Sequence, residues 1–406
     1  MRKLILLALA FTGFLSPLAA QQACFSYEYK ENELQANPSL RINAALVEEF
    51  IKNKQEQSVQ HRGDGLVVIT IPVVVHVLYN QVSQNLTDEA VAKQITLLNQ
   101  CFRRTNADTA NTPARFKELA ADCEIEFKLA ITDPRRRATS GIVRRYTPVT
   151  KWQEDDQMKF TIKGGDDAWD SKNYLNIWVC SLVKTLGYAS FPGGAAEKDG
   201  IVLNFSAFGL KTVVHEAGHW FGLKHIWGDT YCGDDLVDDT PKQGNFTGGC
   251  PSGIRSSCTN GVNGDMYMNY MDLTSDACIN LFTNGQKERM MTLFKSGGSR
   301  ASLLTSYALQ PPLVSEIPVD EEMPEWFAPR LYPNPAIDEI TIDVSYDIRW
   351  TGKTIRIVDL QGVSLVTATV DKKIMKINIS KLKPGIYFIS AKKEDGSTIK
   401  QKLIKL

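Results

Sequence analysis

Residues 212–225 read Thr-Val-Val-His-Glu-Ala-Gly-His-Trp-Phe-Gly-Leu-Lys-His, an HExxHxxGxxH pattern that dictates a short helix, a sharp turn and a point of convergence. Residues four apart share a helix face, so His215 and His219 can aim their ring nitrogens at one ion. Gly222 can adopt the positive φ that stops the helix and turns the chain, bringing in His225 as a third ligand. Three imidazoles with a fourth position left for water make an open, catalytic zinc site rather than a closed, structural one. Glu216 lies about 100° around the helix from the ligand direction, which suits a base that holds the water and not the metal. Three of the chain's five histidines fall in this one motif, so scattered core or surface histidines are a poor account of it.

The rest of the 406-residue chain is organised around that helix and is long enough for two or three domains. Lys and Arg together balance Asp and Glu at 46 each, so no global field recommends nucleic acid or an anionic membrane as partner. Met1-Arg2-Lys3, the apolar run Leu4 to Leu18 and Ala19-Ala20 read as a secretory leader over residues 1–20. No later stretch has transmembrane length. Export makes the eight cysteines candidates for disulfides, and Cys232, Cys250, Cys258 and Cys278 crowd into a loop-rich region where two staples make sense.

Residues 21–60 are polar, with one helical stretch from Pro38 to Lys54, and read as a propeptide. A catalytic domain is expected over 61–310. Leu66 to Tyr79 is a nearly continuous β-branched run, the mark of a strand covered on both faces. Thr87 caps a helix carrying Val91, Ile95 and Leu98; Ile125–Ile131, Tyr174–Cys180 and Ile201–Asn204 read as further strands; the metal helix begins near Lys211. The expectation is an α/β (α+β) domain whose twisted sheet backs the zinc-bearing helix. Prolines and acidic residues make 311–328 a linker. Short strands at Ile340–Val344, Thr354–Val358, Ser364–Val370, Ile374–Ile379, Gly385–Ile389 and Thr398–Ile404 predict a C-terminal antiparallel β-sandwich over 329–406.

With these residues in view, the region from about 65 to 305 resembles the pappalysin family of the metzincin clan. The resemblance makes Met271, in Asn269-Tyr270-Met271-Asp272, the methionine of the turn beneath the metal. Relatives often carry a tyrosine two residues later; this chain has Leu273, which leaves Tyr270 or the ion to steady the oxyanion. The resemblance also implies disulfides Cys232–Cys258 and Cys250–Cys278, and a calcium loop at Asp235-Leu236-Val237-Asp238-Asp239-Thr240 with Asp235 and Thr240 as ligands, against the plainer reading of a solvated acidic loop. It implies Asp276 as a carboxylate that selects Arg or Lys after the cleaved bond, although the neighbouring residue is Ala277. Cys24, the one cysteine upstream of the catalytic region, either closes the zinc site in a latent form or pairs with Cys101, Cys123 or Cys180.

Leu331-Tyr332-Pro333-Asn334-Pro335, Lys383-Pro384-Gly385 and the final Lys402–Leu406 resemble a type IX secretion sorting domain. That resemblance implies partnership with the secretion machinery and export to the outside or surface of a Gram-negative cell; a sugar- or protein-binding sandwich is the alternative. Together these readings describe a secreted, monomeric zinc endopeptidase acting on proteins and peptides and made as a latent zymogen. The competing class is an inactive, zinc-containing surface binder.

Overall fold

The computed structural model describes residues 22–58, 68–315, 328–344, 348–393 and 396–406. The leader expected over 1–20, the start of the strand expected at Leu66 and most of the linker expected over 311–328 lie outside them.

The chain opens with β1 (Gln22–Cys24), α1 (Ser26–Ala36) and α2 (Ser39–Ser58). There follow β2 (Ile69–Tyr79), α3 (Asp88–Phe102), β3 (Ile125–Leu129), β4 (Ile142–Tyr146), β5 (Leu175–Cys180), β6 (Thr185–Ala189) and β7 (Ile201–Asn204). The metal-motif helix α4 spans Thr212–Trp220, and α5 spans Asn284–Thr292. Seven strands make one sheet in the order β1-β6-β7-β5-β2-β3, with β4 continuing beside β2 beyond β3. All its pairings are parallel except β6 with β7, which are antiparallel.

The continuous apolar run of β2 is buried on both faces, as β-branched residues in a central strand should be. Ile71, Val73, Val75 and Val77 meet Val91, Ile95, Leu98 and Phe102 of α3 and Val213, Val214, Ala217 and Trp220 of α4. Fully burying each of these side chains contributes roughly 1.5–3 kcal/mol, so α4 is held rigidly under the sheet. Leu78 points the other way, into a second cluster with Trp152, Met158, Trp178, Tyr188 and Val202. Thr87 caps α3 by accepting from the Ala90 N–H at 3.2 Å.

Beyond residue 328 lie β8 (Arg330–Tyr332), β9 (Glu339–Asp343), β10 (Thr354–Val358), β11 (Ser364–Thr369), β12 (Ile374–Asn378), β13 (Gly385–Lys392) and β14 (Thr398–Lys405). They form two antiparallel sheets, β11-β10-β13-β14 and β12-β9-β8. Ile340 and Ile342 of one sheet share a core with Ile355, Ile357, Ile389 and Leu403 of the other. The exposed–buried alternation along β10 is the period-two pattern that places them there.

Several elements go unanticipated from sequence: β1, α1, β4, β6, β8 and α5. The helix expected over Pro38–Lys54 runs from Ser39 to Ser58.

Candidate metal centre

Two turns of α4 carry His215 and His219 on one face, and the chain then leaves the helix through a Schellman turn. Gly222 has φ +80°, its N–H donates to His219 O at 2.8 Å, and the Leu223 N–H donates to Gly218 O at 2.9 Å. That reversal brings His225 back over the helix end.

Each imidazole is oriented through Nδ1. His215 Nδ1 meets the Tyr270 carbonyl at 2.7 Å, His219 Nδ1 the Leu223 carbonyl at 2.8 Å, and His225 Nδ1 an Asp229 carboxylate oxygen at 2.5 Å. All three partners are acceptors, so Nδ1 carries the proton and every Nε2 presents a lone pair. His219 Nε2 lies 3.1 Å from His215 Nε2 and 3.2 Å from His225 Nε2. Lone pairs converging this closely among buried rings repel one another unless a cation sits among them. Nitrogens bound tetrahedrally to one zinc at its usual bond length stand about 3.3 Å apart, so this tripod fits zinc. Burial, with His225 alongside, pushes the His215 imidazole down to about 3, against the pull of the Tyr270 and Asp272 backbone. Burial and the two neighbouring rings likewise hold His219 well below its usual value. Both rings are therefore neutral, as metal ligands must be. Trp227 stacks on His225 at 4.2 Å and fixes its plane.

Glu216 is fully buried beside the tripod, facing β6. A Cβ on Gly187 would stand 3.2 Å from Glu216 Cγ and 3.0 Å from Val202 O, so the strand is glycine where it passes the carboxylate. Burial pushes the Glu216 carboxyl up to about 8, although Ser26 and Cys24 donate to it and work downward. Ser26 Oγ donates to Glu216 Oε2 at 2.7 Å and accepts from the Ala189 N–H at 2.9 Å. Cys24 Sγ lies 3.7 Å from the same carboxylate oxygen. One ligand atom each from Cys24, His215, His219 and His225 falls within 4.8 Å of all the others. Burial and the Glu216 charge hold the Cys24 thiol well above its ordinary value, a balance that a bound cation reverses. Cys101, Cys123 and Cys180 are free buried thiols, so Cys24 has no disulfide partner here.

Residues 159–295 match the family model described as pregnancy-associated plasma protein-A, and residues 330–405 match the secretion system C-terminal sorting domain. An extracellular metalloprotease of Pyricularia oryzae is 32% identical over 248 residues, covering 56% of this chain and 75% of the relative. One from Arthroderma gypseum is 28% identical over 331 residues, covering 76% and 96%. Mature mirolysin of Tannerella forsythia, solved with a cleaved peptide, is 46% identical over 59% of this chain and 97% of its own, with a TM-score of 0.58. A promirolysin mutant from the same organism is 42% identical, covering 71% and 98%, with a TM-score of 0.64.

The chain belongs to the pappalysin family of metallopeptidases. It is a metalloendopeptidase, with zinc the metal the family implies, and it carries a sorting tail that makes it a secreted or cell-surface protein. Among its described residues no helix is long and apolar enough to cross a membrane.

In this pappalysin Met271 lies directly under the metal helix. A Cβ on Gly218 would come within 2.4 Å of Met271 Sδ, so the helix is glycine where the turn touches it. The Met271 carbonyl accepts from the Ile226 N–H at 3.1 Å, tying the turn to the chain just past His225. Tyr270 does not offer its phenol to the site. The ring packs in the core against Phe282 and its OH accepts from Asn106 at 3.2 Å, while its carbonyl orients His215. Leu273 packs near Phe116, Trp227 and Met266. Cys232 is bonded to Cys258 and Cys250 to Cys278.

Asp235 and Thr240 are buried together: Thr240 Oγ1 lies 2.9 and 2.8 Å from the two Asp235 carboxylate oxygens and 2.7 Å from Val237 O. Burial pushes the Asp235 carboxyl up to about 7, against hydrogen bonds from Thr240 and Val237. Asp276 Oδ1 accepts from the Lys211 N–H at 2.9 Å, which commits half of that carboxylate to the first turn of α4. Ser26 and Asp229 are the residues of the candidate site least visible beforehand. Asp229 follows His225 by four residues, a usable spacing; nothing in the sequence signals Ser26.

Proposed function

We propose that this pappalysin hydrolyses internal peptide bonds with His215, His219 and His225 as zinc ligands and Glu216 as general base. The convergence of three Nε2 lone pairs beside a buried carboxylate carries the reading. When bound, zinc supplies Lewis acidity that acidifies a water and polarises the scissile carbonyl. Glu216 accepts the attacking water's proton and passes it to the leaving amine, its carboxylate standing buried beside the tripod. Asp229 and the Tyr270 and Leu223 carbonyls keep the imidazoles in the one tautomer that can bind. Glu216→Ala should retain one zinc per chain by elemental analysis while turnover on a casein or peptide substrate drops by several orders of magnitude. A chelator should abolish the parent's activity. Normal turnover in the variant sinks the assignment.

The domain plan we infer is a removable segment over 21–60, a catalytic domain over 61–310, and a β-sandwich over 329–406 that addresses the chain to type IX secretion. In the latent form Cys24 takes the fourth zinc position and Ser26 occupies Glu216; the Cys24 thiol stands among the three imidazoles in support. A cobalt-substituted precursor should show a thiolate-to-metal charge-transfer band that Cys24→Ala abolishes, and a band missing from the parent or unchanged in the variant removes Cys24 from the mechanism. Substrates carrying Arg or Lys after the cleaved bond are preferred, with Asp276 as the selecting carboxylate; a cleavage profile on a peptide library decides this. The all-oxygen set of Asp235, Val237 and Thr240 suits calcium as a structural ion. The mature enzyme acts as a monomer.

A further inference from the structure

Residues 22–58 are attached on both faces of β6. On the metal face stand Cys24 and Ser26. One turn along α1, Tyr29 joins the cluster on the opposite face of the sheet, with Trp178, Tyr188 and Val202. There its OH donates to Asp156 Oδ2 at 2.8 Å.

Asp156 is an unusual receptor. It is fully buried, sits in the left-handed region at φ 65°, and accepts from Tyr188 OH at 3.1 Å and from Lys159 Nζ at 2.8 Å. Lys159 is fully buried too, and its ammonium stands 5.3, 5.3 and 5.2 Å from the rings of Tyr29, Trp178 and Tyr188. Tyr29 is therefore one wall of a three-ring cage around a buried cation, as well as a donor to the buried anion. Burial works to raise the Asp156 carboxyl, but Lys159 beside it, then Tyr29 and Lys198, hold it below the usual carboxylate range. None of these groups belongs to the metal centre, and a hydrolytic mechanism has no use for them. Two ion pairs extend the attachment: Glu33 with Lys198 at 2.9 Å, and Glu48 with the buried Arg289 at 2.6 Å.

We propose that Asp156 is the receptor of a second latch, filled by Tyr29, that holds residues 22–58 on the enzyme independently of Cys24. Severing the chain behind residue 58 then leaves the segment bound and inhibitory. Release requires a cut within the segment or loss of the Tyr29 anchor. The inference rests on residues 22–58 being a removable latency segment, and its readout is retention rather than activity.

The test uses the full chain in a Glu216→Gln background, which stops self-cleavage while keeping an oxygen for Ser26. A recognition sequence for an unrelated, sequence-specific protease is placed within residues 59–67, and the chain is cut there. Dissociation of the 22–58 fragment from the C-terminally tagged remainder is followed by mass spectrometry. The parent and Cys24→Ala fragments should stay bound through repeated washing. Tyr29→Phe, which keeps the ring and removes one oxygen, should leave about 10- to 100-fold faster, the worth of a buried hydrogen bond to a charged group. Asp156→Asn should behave similarly; if it fails to fold, Tyr29→Phe decides alone. Release of the Cys24→Ala fragment at once, or a Tyr29→Phe fragment that lingers like the parent's, overturns the latch. Peptide hydrolysis by the active chain once stripped of its fragment tests the latency reading separately.

Discussion

Gly218→Ala tests how tightly the turn at Met271 grips the metal helix. In an open helix this change gains about 1 kcal/mol from propensity. Here the added Cβ would meet Met271 Sδ at 2.4 Å and Phe282 Cε1 at 3.4 Å. A methionine can usually yield, but Met271 is fully buried, with Tyr270 and Phe282 in the same cluster. Overpacking of this kind costs roughly 1–3 kcal/mol, so the net change should be a loss of up to about 2 kcal/mol. The cycle with Met271→Ala sharpens the expectation. With the sulfur gone, Gly218→Ala should stabilise by about 1 kcal/mol, reversing its sign. Urea midpoints at fixed zinc, with unchanged slopes, measure both steps. Turnover should follow, because a displacement of about 1 Å in α4 costs up to about 100-fold. If Gly218→Ala raises the midpoint equally in both backgrounds, Met271 is not a rigid support and the argument from close approach fails.

Asp229→Ala removes the carboxylate that orients His225 and should weaken zinc binding about 10- to 100-fold in competition with a chromophoric chelator; unchanged affinity would leave the 2.5 Å contact without a purpose. Opening either disulfide by paired Cys→Ser changes frees a loop of 26 or 28 residues and should cost about 3.5 kcal/mol in denaturant unfolding. In calcium-free solution the folded Asp235 carboxyl titrates near 7, above its unfolded value, so its stabilising contribution is present at low pH and fades as pH rises through about 7. That amounts to about 4 kcal/mol at about 1.4 kcal/mol per unit. Calcium should flatten this slope, raising the melting temperature more at pH 8 than at pH 5; an equal rise at both argues against Asp235 as a ligand.

Much of the metal centre is legible from residue spacing because the helix period places His215, His219 and Glu216 with no help from tertiary structure, and Gly222 announces the turn that delivers His225. The strands β2 and β5 are equally plain, since a run of buried β-branched residues has few other uses. The illegible parts are those made by distant partners. β1 is a strand only because β6 lies beside it. β4 hides behind Arg144 and Arg145, whose charges are met by Asp88 at 2.5 Å and Asp166 at 3.1 Å. The phenol of Tyr270 looks available from its position next to Met271, yet the core claims it and the backbone carbonyl serves the site instead. The helix α5 is the exception, for it starts on a Thr283–Gln286 capping box whose spacing can be read directly.

The pairing of β1 along β6 has a bearing on the journey before any catalysis. A bare sheet margin is a template on which neighbouring chains can zip together. Here β1 serves as a selvedge along β6, and being only three residues long it leaves little border of its own.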